Sequence, residues 1–323
     1  MKRRISAVLI LAAALLLTGC AGNKSGTETL PLETQAVKSE EPIAETPDVE
    51  ATFRRSTLYY LSDEGYLVPV TKLVPWEEGI ASACLSYMVS TPENLSAARE
   101  MGLSTVIPEG ASLSLSIRDG NALVDIRGLS PLPSAEDELL LCEAIVNTLT
   151  EFSTVSTVSI TREGQGGRLE NGTELPVRRT AYALNPEEPE IATWTGSAPV
   201  KLYFPNLSGA VTVPVSRYIA GEPDVYSTVS ALIAGTDAAG LRSCFPQGTL
   251  LLGAAIENGT VTVNLSEDFK ATKTTPGLYS LAYRTLWLTL AERFDFTRLN
   301  IQVNGAEYAP EAVEAPKDIN SVY

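Results

Sequence analysis

The chain repeats itself, and that limits its folds more than any other feature. Residues 57–172 and 200–308 carry one pattern twice in the same order. Thr57-Leu58-Tyr59-Tyr60 matches Lys201-Leu202-Tyr203-Phe204, and Val68-Pro69-Val70 matches Val213-Pro214-Val215. Pro108-Glu109-Gly110 matches Pro246-Gln247-Gly248, and Asp119-Gly120 before Val124-Asp125-Ile126 matches Asn258-Gly259 before Val263-Asn264-Leu265. Thr148-Leu149 matches Thr289-Leu290, and Val158, Ile160 and Gly164 match Leu299, Ile301 and Gly305. A chain that spells one series twice folds one unit twice, and a unit of roughly 110 residues can bury its own core.

Each copy reads β-β-α-β-β-α-β. Residues 57–61 and 67–73 alternate apolar and polar side chains, the period of a strand. Residues 79–89 read as a helix. Residues 112–118 and 122–127 flank Asp119-Gly120 and form a hairpin; Asn258-Gly259 repeats the signal, since both residues accept positive φ. Ser134-Ala135-Glu136-Asp137 opens a second helix with a capping pattern, and Leu141, Ile145 and Leu149 then share a face. The corresponding helix of the second copy is predicted to start at Thr275-Pro276, where proline suits the first turn. Residues 155–161 and 297–303 close each copy as β-branched strands. The fold class is α+β: two tandem sandwich domains, each with two helices on one face of a small mixed sheet. Boundaries follow as 55–172 and 200–308, with a connector at 173–199 and a loose tail at 309–323.

The N-terminus has its own logic. Lys2, Arg3 and Arg4 precede an apolar run from Ile5 to Leu17, broken only by Ser6. That is a signal-peptide core, too short to remain as a membrane span. Leu17-Thr18-Gly19-Cys20 follows and resembles the lipobox of bacterial lipoproteins, so residues 1–20 are a signal segment and Cys20 is the expected lipidation site. Acylation there would place the protein on the extracytoplasmic face of the cell membrane without a transmembrane helix. Residues 21–54 carry Pro31, Pro42 and Pro47 and more acids than lysines, too little apolar surface to fold, and are expected to be a disordered linker.

Composition excludes several function classes. The formal charge is −15; removing the three signal-segment cations from −15 leaves −18. Nucleic acid is not the partner of such a chain. Histidine is absent, which removes Ser-His-Asp and Cys-His catalysis and every His-bearing metal site. No Walker loop or dinucleotide fingerprint occurs. Gly164-Gln165-Gly166-Gly167 follows a strand without opening a helix and reads as an exit loop. Asp125 reads as a structural hydrogen-bonding group, since its counterpart is Asn264. No catalytic residue, metal site or cofactor is expected, and the chain is not read as an enzyme. Cys84, Cys142 and Cys244 match no metal spacing; Cys84 and Cys142 read as small buried hydrophobes, with a bridge between them as the alternative.

The ordered set of repeat motifs resembles the GerMN domain family of spore-forming bacteria. Leu58-Tyr59-Tyr60-Leu61, Leu67-Val68-Pro69-Val70, Ile107-Pro108-Glu109-Gly110, Val124-Asp125-Ile126 and Ala144-Ile145-Val146-Asn147-Thr148-Leu149 carry the resemblance. It covers most of residues 57–308, together with the anchor and linker. The second copy departs more, with Cys244-Phe245 before its proline. The resemblance implies a fold similar to ring-building modules of sporulation secretion complexes, and a scaffolding role in sporulation or germination.

The leading expectation is therefore a non-enzymatic envelope scaffold that binds an envelope protein complex or its own copies. The alternative is an extracytoplasmic glycan-, peptide- or solute-binding lipoprotein, which needs an aromatic-lined pocket between the repeats. Candidate interface residues are Tyr59, Tyr60, Tyr203, Phe204, Trp76 and Trp194. Strand alternation predicts that one of each adjacent aromatic pair is core and the other exposed or at a domain boundary.

Overall fold

The computed structural model describes residues 53–76, 79–176, 180–181, 183–187 and 196–322. The signal segment, Cys20, almost all of the linker and Trp194 lie outside the described residues.

The first repeat opens with β1 (Phe53–Ser62) and β2 (Leu67–Pro75), an antiparallel hairpin. Then follow α1 (Ile80–Tyr87), α2 (Pro92–Arg99) and the short β3 (Leu103–Ser104). The hairpin β4 (Ser112–Arg118) and β5 (Asn121–Arg127) comes next, then α3 (Ala135–Thr150) and β6 (Thr157–Arg162). The second repeat repeats the plan: β7 (Ser197–Pro205), β8 (Thr212–Ala220), α4 (Val225–Ile233), β9 (Leu251–Glu257), β10 (Thr260–Leu265), α5 (Leu278–Ala291) and β11 (Arg298–Val303). Two short strands, β12 (Ala306–Glu307) and β13 (Ser321–Val322), end the chain.

Local chemistry accounts for these elements. Asp119 and Asn258 both take positive φ, 50° and 49°, and each precedes a positive-φ glycine. That pair of left-handed residues closes a tight hairpin whose twist matches its strands. β5 runs antiparallel to β4 and parallel to β6 in a three-stranded sheet, and β10 runs antiparallel to β9 and parallel to β11 in a sheet that β12 extends to four strands. A parallel pair needs a crossover, and α3 and α5 supply it. The Ser134 side chain accepts from Asp137 N at the start of α3, and Asp224 and Ser227 form a reciprocal capping box at α4. One region starts later than predicted. A 3₁₀ helix occupies Glu267–Thr274, and α5 begins at Leu278 behind Gly277, whose φ of 73° no helix interior could hold.

The buried residues of both repeats form one continuous core. Leu141, Ile145 and Leu149 of α3 belong to it together with Val124, Ile126 and Ile160 of the sheet, as do Leu286 and Leu290 of α5 with Val263 and Ile301. Cys84, Cys142 and Cys244 are unbridged and buried. Burial pushes the Cys142 thiol up to about 12 and the Cys244 thiol to about 11, so both are inert packing groups at neutral pH. Among the described residues, no helix is long and apolar enough to cross a membrane.

Candidate functional site

Polar chemistry converges where the two repeats meet. β2 and β8 pack together there, and each is almost wholly buried along its first half. Proline stands in both strands, at Pro69 and Pro214, so each lacks one backbone donor. Two asparagines complete the joint. Asn185, in the connector, accepts from Leu67 N at 2.9 Å and donates to Leu67 O at 2.9 Å and Pro214 O at 2.7 Å. Asn320, in the tail, accepts from Thr212 N at 2.8 Å and donates to Thr212 O at 2.7 Å and Pro69 O at 2.9 Å. The two clasps are equivalent under the repeat, since Leu67-Val68-Pro69 aligns with Thr212-Val213-Pro214. Both asparagines take positive φ, 45° and 46°, a conformation asparagine tolerates better than most side chains. Only a primary amide offers two acceptor sites and two N–H donors in so small a group.

The clasps sit on exchanged straps. Leu184 O accepts from Ser216 N at 2.9 Å, and Pro186 bridges to Ser216 in parallel. The equivalent tail residue, Ile319, accepts from Thr71 N at 2.9 Å, and β13 pairs in parallel with β2. Each repeat thus closes the strand edge of the other. The connector and tail were expected to be irregular and loose; the structure instead makes residues 183–187 and 318–322 part of the fold. Leu184-Asn185 and Ile319-Asn320 are the one sequence signal that could have revealed this pair.

Tyr59 and Tyr203 extend the pseudo-symmetry. Tyr59 Oη donates to Glu151 at 2.7 Å, and Tyr203 Oη donates to Glu292. Their backbone N–H groups donate to Thr148 Oγ1 at 3.3 Å and Thr289 Oγ1 at 3.0 Å. Burial, then the neighbouring carboxylates, hold both phenols well above their usual range. The field crosses the joint, because Glu292 acts on Tyr59 and Glu151 on Tyr203.

Four of the candidate interface aromatics lie inside the fold, divided between core and domain boundary as strand alternation predicts. Tyr59, Tyr60, Tyr203 and Phe204 are all buried, the most accessible only 6% exposed. Tyr60 and Phe204 are core, while Tyr59 and Tyr203 point their hydroxyls to acids at the domain boundary. None presents a free face, because both sides of the opening hairpin are covered, one by its own helices and one by the joint. Among the described candidates Trp76 alone is exposed, at 60%, with Arg54 over its ring at 5.3 Å. Trp287 of α5 is half-buried between Tyr283 and Phe296.

Asp125 has the structural role its position implied. It accepts from Arg127 Nε at 2.8 Å, Thr161 Oγ1 at 2.8 Å and Gly164 N at 2.6 Å. Arg127 foremost holds its carboxyl below the usual range, against the upward pull of burial. Asn264 accepts from Gly305 N at 2.9 Å in the equivalent place, so a neutral amide serves the same turn.

One cleft of about 1,100 Å³ lies between the repeats. Tyr66 is its one aromatic among the described lining residues, so it lacks the stacking surfaces expected of a glycan site.

Comparison with known proteins adds identity to this geometry. The family model described as sporulation and spore germination, Germane, matches residues 57–167 and 201–309. Spore germination protein GerM of Bacillus subtilis (strain 168) is 25% identical over 360 residues, spanning 96% of this chain and 96% of that protein. The solved structure of the tandem GerMN domains of the sporulation protein GerM from Bacillus subtilis has the same fold, with a TM-score of 0.65 at 22% identity. It covers 84% of this chain and 97% of its own.

Proposed function

The chain belongs to the Germane family of sporulation and spore germination, and from that premise we propose that it is a non-enzymatic scaffold of the cell envelope. Its lipid on Cys20 holds it to the extracytoplasmic face of the membrane, and its folded repeats bind an envelope complex needed for spore formation or germination. The observation that carries this reading is the reciprocal strap joint. A small-molecule enzyme has no need of two copies welded by exchanged edges, whereas a scaffold needs surfaces held at a fixed separation. The sequence also contains no histidine, which removes Ser-His-Asp and Cys-His catalysis and every His-bearing metal site.

The test is genetic and biochemical. Deleting the gene should lower the count of heat-resistant or germination-competent spores, and Cys20→Ser should move the protein from the membrane to the soluble fraction. Unchanged spore counts in the deletion strain would discard the sporulation and germination role. A membrane-bound Cys20→Ser protein would discard the anchor.

A further inference from the structure

The cleft between the repeats is bounded by elements of both. One wall is the β1–β2 turn and the start of α3; the other is the loop that follows α4 in the second repeat. Leu139 opens onto it, 42% exposed on a helix whose other leucines are mostly covered. Tyr66, Leu140 and Ala238 extend the apolar lining. An exposed leucine inside a concave apolar surface is an unpaid desolvation that a ligand can relieve.

The rim carries one sign of charge. Glu64 and Glu136 from the first repeat and Asp237 from the second are exposed around it. None of the three forms an ion pair among the described residues. Among the described lining residues Arg217 is the one cation, and its guanidinium is engaged. Its Nε and Nη2 donate to the two oxygens of Glu187 at 2.6 and 2.9 Å, and Nη1 and Nη2 donate to Ala231 O and Gly235 O, both at 2.6 Å. Low-dielectric walls focus the field of the free carboxylates into the groove.

The groove is also pre-formed. The repeats close at its rim through Gly240, where a Cβ would lie 2.5 Å from Glu64 Oε1. Asn185 fixes its floor. At about 1,100 Å³ it exceeds the span of about 300–1,000 Å³ typical of small-ligand pockets. Among the described lining residues Tyr66 alone could stack on a sugar.

On these grounds, and resting on the scaffold reading, we infer that the cleft docks a segment of a partner protein in which lysines alternate with apolar residues. Lysine stems cover the apolar lining while their ammonium groups reach the rim acids. The experiment uses the mature chain in detergent and fluorescence anisotropy. The probe is a labelled peptide repeating Lys-Leu-Lys-Ser, with Lys-Ser-Lys-Ser and Glu-Leu-Glu-Ser as controls. Saturable binding of the first peptide alone is expected. It should weaken on the order of tenfold with Leu139→Ser, and similarly with Glu136→Lys and Asp237→Lys together, as rim-charge reversal does at other interfaces. Glu109→Lys, an exposed acid elsewhere, should leave it unchanged. Absence of saturable binding, equal binding of Lys-Ser-Lys-Ser, or indifference to the Leu139 and rim substitutions would each overturn the inference. The scaffold reading is judged separately, by the deletion strain. A deletion defect that the Glu136→Lys, Asp237→Lys chain fully complements sinks the groove and leaves the scaffold.

Discussion

Asn320 donates its amide to carbonyls of two different repeats, and it is only 4% exposed. Removing it leaves Pro69 O and the backbone N–H and C=O of Thr212 buried without those partners. A buried group stranded in this way costs about 1–3 kcal/mol, far more than a solvated bond is worth. Asn320→Ala should therefore destabilise the chain by roughly 2–4 kcal/mol, read as a shift in urea midpoint at unchanged slope. Asn320→Asp should be no milder, since it keeps the acceptor, loses both donors and buries a charge. A loss below about 1 kcal/mol would mean that water replaces the amide and that the clasp is not a buried joint. Sequence reading gave Asn185 and Asn320 no role, while it weighed the aromatics as contacts. The difference is one of range. The partners of Asn320 lie 108 and 251 residues away, and no periodicity records a bond of that span.

At the scale of elements, the local rules did well. Hairpins at Asp119-Gly120 and Asn258-Gly259, the capped start of α3 and the closing β-branched strands all stand where turn chemistry and alternation put them. The second repeat's α4 leans on its cap. It has only nine residues, too few to be stable by propensity, and Asp224 accepts from Ser227 N at 2.7 Å. Asp224→Ala should cost about 1 kcal/mol, measured as a fall in melting temperature. An unchanged melting temperature would assign the stability of this helix to packing of Val225, Val229 and Leu232 alone. The strap strands escaped notice because two or three residues in parallel register carry too short a pattern to separate from loop. The late start of α5 was hidden because Pro276, read as a first-turn proline, sits instead one residue before the Gly277 N-cap.

For the molecule as a whole, two repeats that complete each other's sheets should not unfold apart. Calorimetry should record a single transition whose calorimetric and van't Hoff enthalpies agree. Two separated transitions would show that the straps add little and that the repeats are independent beads. The sequence by itself determined the duplication, the α+β class, the element order of each copy and the family, because those follow from hydrophobic period, turn residues and motif order, all local in the chain. Only the tertiary structure decided which faces are free. It buried Tyr59, Tyr60, Tyr203 and Phe204, turned connector and tail into exchanged edges, and left an acid-rimmed groove at Leu139. Exposure is a property of what packs against a residue from elsewhere, and a one-dimensional pattern holds no record of that neighbour.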